Sequence, residues 1–285
     1  MPPKLPFSFL DLVDVEPISI VDVGAAPEKC GPYYQPLVDR GVAHVTGFEP
    51  DPRAFAKLQA TANEHMRYVQ AVVGDGTPGT FYKTTFRYTS SLYEPDLEFL
   101  DRFANLSLLS QPMTQNATLT QRLDDLIAAS EVDFLQMDVQ GGELRVLKGA
   151  PRLLSKVLLV VTEVAFVAMY KKQPLFADID THMRSAGFSL HRFLEPFSNY
   201  LNPVPEGAPP DGASQLLFTN AIYIPSLDAV DRLPVPRLLK LVAILHDCFN
   251  SWDLCLHLLD RLAARGTPEP YERYASAVKA ALGRA

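Results

Sequence analysis

The chain has 285 residues, of which 47% are hydrophobic and 21% are charged. This balance is typical of a globular protein and excludes a wholly disordered, collagenous or coiled-coil chain. The 26 Lys and Arg residues against 33 Asp and Glu residues give a formal net charge of -7, which argues against a nucleic-acid partner because phosphate binding needs clustered cations.

Short apolar runs alternate with helical patterns along most of the chain. The runs are rich in Val, Ile, Leu and Phe without strict alternation, as in strands that are covered on both faces. They predict strands at residues 18–23, 44–48, 68–73, 134–139, 157–161 and 216–224. Helices are predicted at residues 53–63, 123–129, 143–154 and 176–186. This alternation predicts an α/β fold with a mainly parallel sheet.

Two further segments depart from that alternation. Residues 80–87 alternate in polarity and predict a small hairpin or an extended insertion. After Pro225, apolar residues recur at helical spacing and predict about three helices. We therefore expect one domain at residues 1–225 and a small helical extension at residues 226–285. The extension is expected to pack against the main domain or to form a homodimer.

The sequence also bears on the compartment. The three cysteines form no CxxC pair, and their odd number fits a reducing environment. The first residues lack the unbroken apolar core of a signal peptide. The most apolar stretch, residues 157–170, is shorter than the about 20 residues that span a bilayer. We therefore expect a cytoplasmic protein without a transmembrane segment.

The first two predicted strands each end in an acidic residue. Gly24 follows Asp22 closely, and glycine at such a turn lets the backbone approach a ligand. Glu49 comes 27 positions after Asp22, and an acid there can accept hydrogen bonds from both hydroxyls of a ribose. An ordinary turn and a helix-capping acid are the alternatives. Together, the two segments favour a cofactor that contains a nucleoside.

A third segment places two acids at the end of another strand. Asp138 comes at the end of the strand predicted at residues 134–139, and Glu143 begins the next helix. Glu143 could simply interact with the helix dipole. An acid at the end of a buried strand, however, needs a partner or a function. We therefore expect Asp138 at the mouth of the sheet.

These motifs together resemble the FkbM-type S-adenosylmethionine-dependent methyltransferases. The similarity covers residues 18–224. It rests on Asp-Val-Gly-Ala at residues 22–25, Gly-Phe-Glu-Pro at 47–50, Leu-Asp at 123–124, Asp-Phe-Leu-x-x-Asp-Val-x-Gly-x-Glu at 133–143, and Val-Leu-x-Gly-Ala at 146–150.

The resemblance implies a Rossmann-like class I methyltransferase sheet of seven strands, one of them antiparallel. It also implies S-adenosylmethionine as the methyl donor and usually a hydroxyl oxygen, often on a sugar or polyketide, as the acceptor. The turn after the first strand would hold the methionine part, Glu49 the ribose, and the region of Val72, Val73 and Asp75 the adenine. The cofactor-binding residues implied in this way are Asp22, Gly24, Ala25, Glu49, Asp75 and Asp138.

The chain departs from the family pattern at two places. The second glycine of the first loop is displaced, since residues 25–30 separate Gly24 from Gly31. The acid that usually follows the Asp-Val pair of the third motif is Gln140 here. We therefore expect altered donor contacts in the first loop and a structural or positioning role for residue 140.

Methyl transfer to an alcohol benefits from a base, because the hydroxyl loses its proton as the new bond forms. We expect Asp138, Glu163 and His191 as catalytic candidates, with His182 as a weaker one. For either histidine, packing or surface exposure is the alternative. Asp138 and Glu163 could instead bind a divalent cation that acidifies the hydroxyl. Residues 90–93 lie in a long segment between two predicted strands, where insertions often cover an acceptor site.

Three functions follow from these observations. The first is an O-methyltransferase that acts on a sugar, a glycan or a secondary metabolite. The second is a non-catalytic module that keeps the fold for binding. The third is a dinucleotide-dependent oxidoreductase, which would need a Gly-x-Gly-x-x-Gly motif that residues 24–29 lack.

Overall fold

The computed structural model describes residues 4–26, 31–128 and 132–283. Its centre is a seven-stranded sheet with the strand order β3-β2-β1-β6-β7-β9-β8, and a separate two-stranded sheet pairs β4 with β5. The strands are β1 (Ile18–Val23), β2 (Ala43–Phe48), β3 (Met66–Val69), β4 (Pro78–Thr84), β5 (Pro112–Leu119), β6 (Phe134–Met137), β7 (Leu159–Ala165), β8 (Phe188–Asn199) and β9 (Gln215–Pro225).

Six of the seven strands in the large sheet run in one direction. Strands β1, β2, β3, β6 and β7 pair in parallel, whereas β9 is antiparallel to both of its neighbours, β7 and β8. The predicted α/β fold, with a seven-stranded sheet of the class I methyltransferase type and one antiparallel strand, is therefore confirmed. The predicted C-terminal helices are also present.

The helices connect and cover these strands. They are α1 (Gln35–Asp39), α2 (Pro52–Gln59), α3 (Leu97–Leu100), α4 (Leu106–Leu109), α5 (Leu123–Leu126), α6 (Glu143–Lys148), α7 (Pro151–Leu154), α8 (Phe176–Ser185), α9 (Leu227–Val230), α10 (Val235–Ala243), α11 (Trp252–Ala264) and α12 (Glu269–Leu282). A π-helical turn, Ile244–Cys248, continues α10. None of the helices in the described part of the chain has both the length and the apolar character needed to cross a membrane.

A hydrophobic core lies on each face of the sheet. On one face, Ile20, Phe134 and Val161 pack in the same cluster as the buried residues of α1, α10, α11 and α12. On the other face, Val21 and Leu135 pack with the buried residues of α5, α6, α7 and α8. The C-terminal helices therefore bury their apolar faces against the sheet of their own chain. Their division from residues 1–225 as a separate domain, and a homodimer through them, stay predictions.

A buried ion-pair cluster fastens α10 to the sheet. The side chain of Asp133 is 4% exposed and lies 3.0 Å from Arg237 Nη1 and 2.9 Å from Lys240 Nζ. Its Oδ2 atom also accepts a hydrogen bond from the backbone N–H of Ser19, which lies on β1, at 3.0 Å. Asp133 therefore links β1, the entry to β6 and the C-terminal helices.

The long connection between β3 and β6 forms the rim of the carboxyl edge of the sheet. It carries the β4–β5 pair, which confirms an extended insertion near residues 80–87. The predicted helix at residues 143–154 is divided into two helices, α6 and α7. Gly149 lies between them, so close to another backbone segment that a Cβ atom would be 2.0 Å from the Gly74 carbonyl oxygen. Pro151 then begins α7, where proline is favoured.

Candidate active site

A cleft opens at the carboxyl ends of β1, β2 and β6. It encloses about 850 Å³, counting its open mouth. Gly24, Glu49 and Asp138 all line it, although they are far apart in the sequence. The cleft therefore joins the three motifs that the sequence analysis selected, and we call it the donor cleft.

The turn after β1 is held tightly in place. Gly24 has a φ of +87°, and a Cβ atom there would lie 2.1 Å from the carbonyl oxygen of Asp138. The backbone N–H groups of Gly24 and Ala25 donate to the carbonyl oxygen of Phe48 at 2.9 and 3.0 Å. Asp22, which is buried, accepts a hydrogen bond of 2.8 Å from the Tyr34 hydroxyl. Only glycine fits this junction of three strand ends.

Glu49 is a buried acid beside the cleft. It is 6% exposed, and its Oε1 atom accepts a hydrogen bond of 2.7 Å from the backbone N–H of Asp51. Burial raises the pKa of Glu49, and this backbone hydrogen bond opposes the rise only in part. Lys83 forms an ion pair with Asp51, which caps α2. The carboxylate of Glu49 therefore lies between the start of α2 and the cleft.

The rest of the donor cleft is mainly apolar, with cations at its rim. Its apolar wall consists of Val23, Phe48, Pro50, Ala71, Val72, Val73, Phe81, Leu92 and Val139. Lys83, Arg87 and Tyr88 come from the insertion and close the opposite side. The Arg87 guanidinium lies 4.2 Å from the centre of the Tyr88 ring, in a cation–π contact.

Three acids meet at the end of β6. Asp138, Glu143 and Glu163 each offer a carboxylate oxygen, and these oxygens lie within 4.8 Å of one another. Glu143 and Glu163 are 3% and 5% exposed, whereas Asp138 opens to the cleft. Burial raises the pKa of all three groups, to about 7 for Glu143, and the charge of Asp138 adds to the rise for both glutamates.

Gln140 bridges two of these acids. Its Nε2 atom donates to Asp138 Oδ1 at 2.7 Å and to Glu163 Oε2 at 3.4 Å. The Tyr170 hydroxyl lies 3.2 Å from Gln140 Oε1 and 3.0 Å from the Thr89 carbonyl oxygen, so its one proton is shared between these two acceptors. Gln140 has a φ of +53°, an uncommon conformation for a residue other than glycine. Its side chain thus holds Asp138 in place.

The same amide bears on the predicted divalent cation. The Gln140 Nε2 atom donates to one oxygen of Asp138 and to one oxygen of Glu163. A cation that used these two oxygens would have to displace the amide N–H₂ group, whereas each carboxylate keeps a second oxygen. The divalent cation therefore stays a prediction, with Asp138, Glu143 and Glu163 as the residues that would hold it.

We expect the pKa of Glu143 to make stability depend on pH. Because its pKa rises from 4.5 unfolded to about 7 folded, its contribution is complete below pH 4.5 and is lost as the pH rises through 7, a loss of about 3 kcal/mol. Asp138 and Glu163 face it and act in the same direction. Glu143→Gln, which still accepts from the Val139 N–H, should flatten the dependence in urea unfolding at pH 5 to 8. An unchanged slope, equal to that of the exposed control Glu206→Gln, would contradict this assignment.

Two of the predicted site residues do not reach the cleft. His191 lies on β8 between Leu190 and Arg192, near the amino end of β7, and its Nε2 atom is 2.9 Å from the Ser251 hydroxyl. Burial lowers the pKa of His191, and the ring does not line the cleft. His191 is therefore not placed to act as the base. His182 lies on the outer helix α8.

Asp75 is already occupied by other partners. Burial alone would raise its pKa, but hydrogen bonds from Arg145, at 2.8 Å, and from Thr77 lower the pKa below the usual range. Asp75 does not line the donor cleft, whereas its neighbours Val72 and Val73 do. Val72 and Val73 of the predicted adenine region thus line the cleft, whereas Asp75 connects α6 to the insertion through its contact with Arg145.

Sequence reasoning missed the side chains that the insertion contributes. Lys83, Arg87 and Tyr88 belong to no motif, and only the structure shows that the β4–β5 pair folds over the cleft. Ser90 and Leu92, from the segment that the sequence analysis predicted to cover an acceptor site, line the donor cleft, and their role toward an acceptor stays a prediction. The displaced loop at residues 27–30, a predicted departure from the family, lies outside the described residues.

Comparison with known proteins identifies a family to which this chain is similar. The family model described as the methyltransferase FkbM domain matches residues 22–190. Curated protein sequences give no match. Among solved structures, a precorrin-6y C5,15-methyltransferase from Geobacter metallireducens is 9% identical, with 76% of this chain and 85% of that chain covered and a TM-score of 0.38. An S-adenosylmethionine-dependent methyltransferase from Mesorhizobium loti is 12% identical, with 74% and 94% covered and a TM-score of 0.34.

Proposed function

The chain belongs to the methyltransferase FkbM domain family, and on this premise we propose that it transfers the methyl group of S-adenosylmethionine to a hydroxyl oxygen of a sugar, a glycan or a secondary metabolite. The observation that carries this proposal is the convergence of Gly24, Glu49 and Asp138 on one cleft at the carboxyl edge of the sheet. In open α/β sheets, ligands bind at this edge.

In this proposal, successive parts of the donor cleft bind the adenine, the ribose and the methionine part of S-adenosylmethionine. The apolar wall around Phe48, Val72 and Val73 suits the adenine ring. The buried carboxylate of Glu49 is positioned to accept hydrogen bonds from the ribose hydroxyls. The turn at Gly24 and Ala25, beside Asp22, is proposed to hold the methionine part, because Gly24 lines the cleft next to Asp138.

Asp138 supplies the proton chemistry in this proposal. Methyl transfer from a sulfonium group is an in-line displacement, so alignment of donor and acceptor provides much of the rate increase. The acceptor hydroxyl must still lose its proton, and a positioned carboxylate can take it. Asp138 opens to the cleft, and desolvation by the protein atoms around its carboxylate raises its pKa. Glu163 lies behind it, and the amide of Gln140 donates to both carboxylates.

We expect Glu49→Gln to weaken binding of S-adenosylhomocysteine by about 10- to 100-fold. The reason is that a hydrogen bond to a charged group contributes about 1.5–3 kcal/mol, and 1.4 kcal/mol corresponds to a factor of ten. The amide retains the acceptor for the Asp51 N–H, so the local fold is kept. Calorimetric titration of the parent protein and the variant measures the effect.

The matched control is Glu206→Gln, which changes an exposed acid outside the cleft. Equal affinity in Glu49→Gln and the parent would remove Glu49 from the ribose site. Titration of the parent with NAD separates the proposed donor from a dinucleotide. Binding of NAD without binding of S-adenosylhomocysteine would overturn the proposed function.

A further inference from the structure

A second cavity, the polar chamber, lies on the other side of Asp138. It encloses about 1130 Å³, counting its open mouth. Its functional lining consists of Tyr33, Asp39, Gln136, Asp138, Glu195 and Asn220. Asp138 also lines the donor cleft, so the two cavities meet at the carboxylate that we assign as the base.

The walls of the polar chamber form a connected hydrogen-bond network. Gln136 Oε1 accepts a hydrogen bond of 3.2 Å from the backbone N–H of Tyr33. The Tyr33 hydroxyl accepts from Asn220 Nδ2 at 3.0 Å and donates to Glu195 Oε2 at 3.3 Å. Burial and the charge of Glu195 raise the pKa of Tyr33, so its hydroxyl keeps its proton. Hydrogen bonds thus fix four side chains around the polar chamber: one from the segment just before α1 and one each from β6, β8 and β9.

An irregularity in the sheet places one of these side chains. The pairing of β8 with β9 shifts register between Leu194 and Phe197, which makes a bulge at Glu195. Glu195 has a φ of +47°, a conformation that costs energy for a residue other than glycine. Bulges and strained residues of this kind occur next to active sites, where they redirect a side chain. Packing alone does not require an acid there, because Glu195 is exposed.

The chemistry of the walls selects a type of ligand. Carboxylates accept hydrogen bonds, amides both accept and donate, and a tyrosine offers a hydroxyl together with a flat apolar face. Vicinal hydroxyls on a ring match this set, because each hydroxyl can donate to a carboxylate and accept from an amide. Asp39, Asp138 and Glu195 are acidic and line the chamber. Their carboxylates favour a neutral ligand that donates hydrogen bonds over an anionic one.

We propose that the polar chamber is the acceptor site and that it binds a neutral sugar ring, with one ring hydroxyl directed at Asp138. This inference rests on the proposed methyltransferase function and adds the place and the charge of the acceptor. The donor enters from one side of Asp138 and the sugar from the other, so the carboxylate lies where the proton must leave.

Saturation-transfer difference NMR of the protein saturated with S-adenosylhomocysteine tests the proposal. The probes are methyl α-mannoside, methyl β-glucoside and glucuronate. We expect signals from at least one neutral glycoside, and signals at least fivefold weaker from glucuronate. Asn220→Ala and Glu195→Gln should each reduce the glycoside signal at least fivefold, while the affinity for S-adenosylhomocysteine stays within twofold of the parent.

Matched controls are Asn116→Ala, an exposed residue on β5, and Glu206→Gln. Glu195→Gln changes an exposed side chain, so its fold is expected to remain intact if Asn220→Ala does not fold. Loss of S-adenosylhomocysteine affinity in these variants, with the glycoside signal retained, would assign the chamber to the donor and overturn the proposal. So would normal S-adenosylhomocysteine binding without any glycoside signal, or equal signals from glucuronate. Failure of the parent to bind S-adenosylhomocysteine would instead overturn the proposed function itself.

Discussion

We expect Asp138→Asn to lower the rate of methyl transfer by about two to four orders of magnitude, the usual contribution of a positioned general base. The amide has nearly the same shape as the carboxylate, and its oxygen can still accept the hydrogen bond from Gln140. It cannot take a proton from the acceptor. The affinity for S-adenosylhomocysteine should stay within about threefold, because binding of that ligand does not involve the proton.

Single-turnover transfer of the labelled methyl group to the glycoside with the strongest NMR signal measures this effect, with the exposed Asp211→Asn as the control. The pH profile gives a second readout. In the parent, the rate should rise with pH as Asp138 loses its proton, at a pKa raised by burial. The variant should lose this limb. A rate within fivefold of the parent, or a larger loss of donor affinity than of rate, would exclude Asp138 as the base.

The second large effect concerns stability rather than catalysis. We expect Asp133→Ala to lower the free energy of unfolding by about 3–5 kcal/mol, the usual result of removing one partner of a buried ion pair. The substitution leaves Arg237 and Lys240 without their shared carboxylate and removes the acceptor for the Ser19 N–H. At roughly 2–4 °C per kcal/mol for a chain of this size, the melting temperature should fall by about 10 °C.

Urea unfolding of the parent, of Asp133→Ala and of the exposed control Asp228→Ala measures the loss. A second variant distinguishes an unpaired charge from a lost contact. Replacing Asp133 by Leu together with Arg237→Met and Lys240→Met should recover much of the stability, because apolar groups of similar volume can replace a buried ion cluster. A loss below about 1 kcal/mol in Asp133→Ala would contradict the assigned role of the cluster.

The parts of the fold that the sequence predicted best are those with a strong local pattern. Strand β1 has the predicted bounds, and β2 begins one residue before the prediction, because both are buried apolar runs with clear ends. Strand β8 was not predicted as a run, since its polar and apolar residues are interrupted by the bulge at Glu195. A bulge changes the side-chain period, so periodicity alone could not detect that strand.

In the candidate site, too, residues with a local sequence signal were predicted better than residues that depend on long-range contacts. Asp138 was selected because an acid at the end of a buried strand needs a partner or a function, and Glu49 because of its spacing after Asp22; both lie at the donor cleft. His191 was selected by residue type alone, and its contact with Ser251 in the C-terminal helices could not be read from the chain. The network around Tyr33 depends on contacts between residues more than 100 positions apart, for which no local pattern exists.

The place of β9 in the sheet sets an order for folding during synthesis. This strand lies between β7 and β8, although both are made before it, so the edge of β7 stays unpaired until residue 225 has left the ribosome. The sheet face beneath α10 and α11 likewise stays uncovered until those helices emerge. Unpaired edges and uncovered apolar faces favour association between chains. The nascent protein is therefore most vulnerable to aggregation just before residues 226–285 are released, and slow translation of that region would prolong the risk.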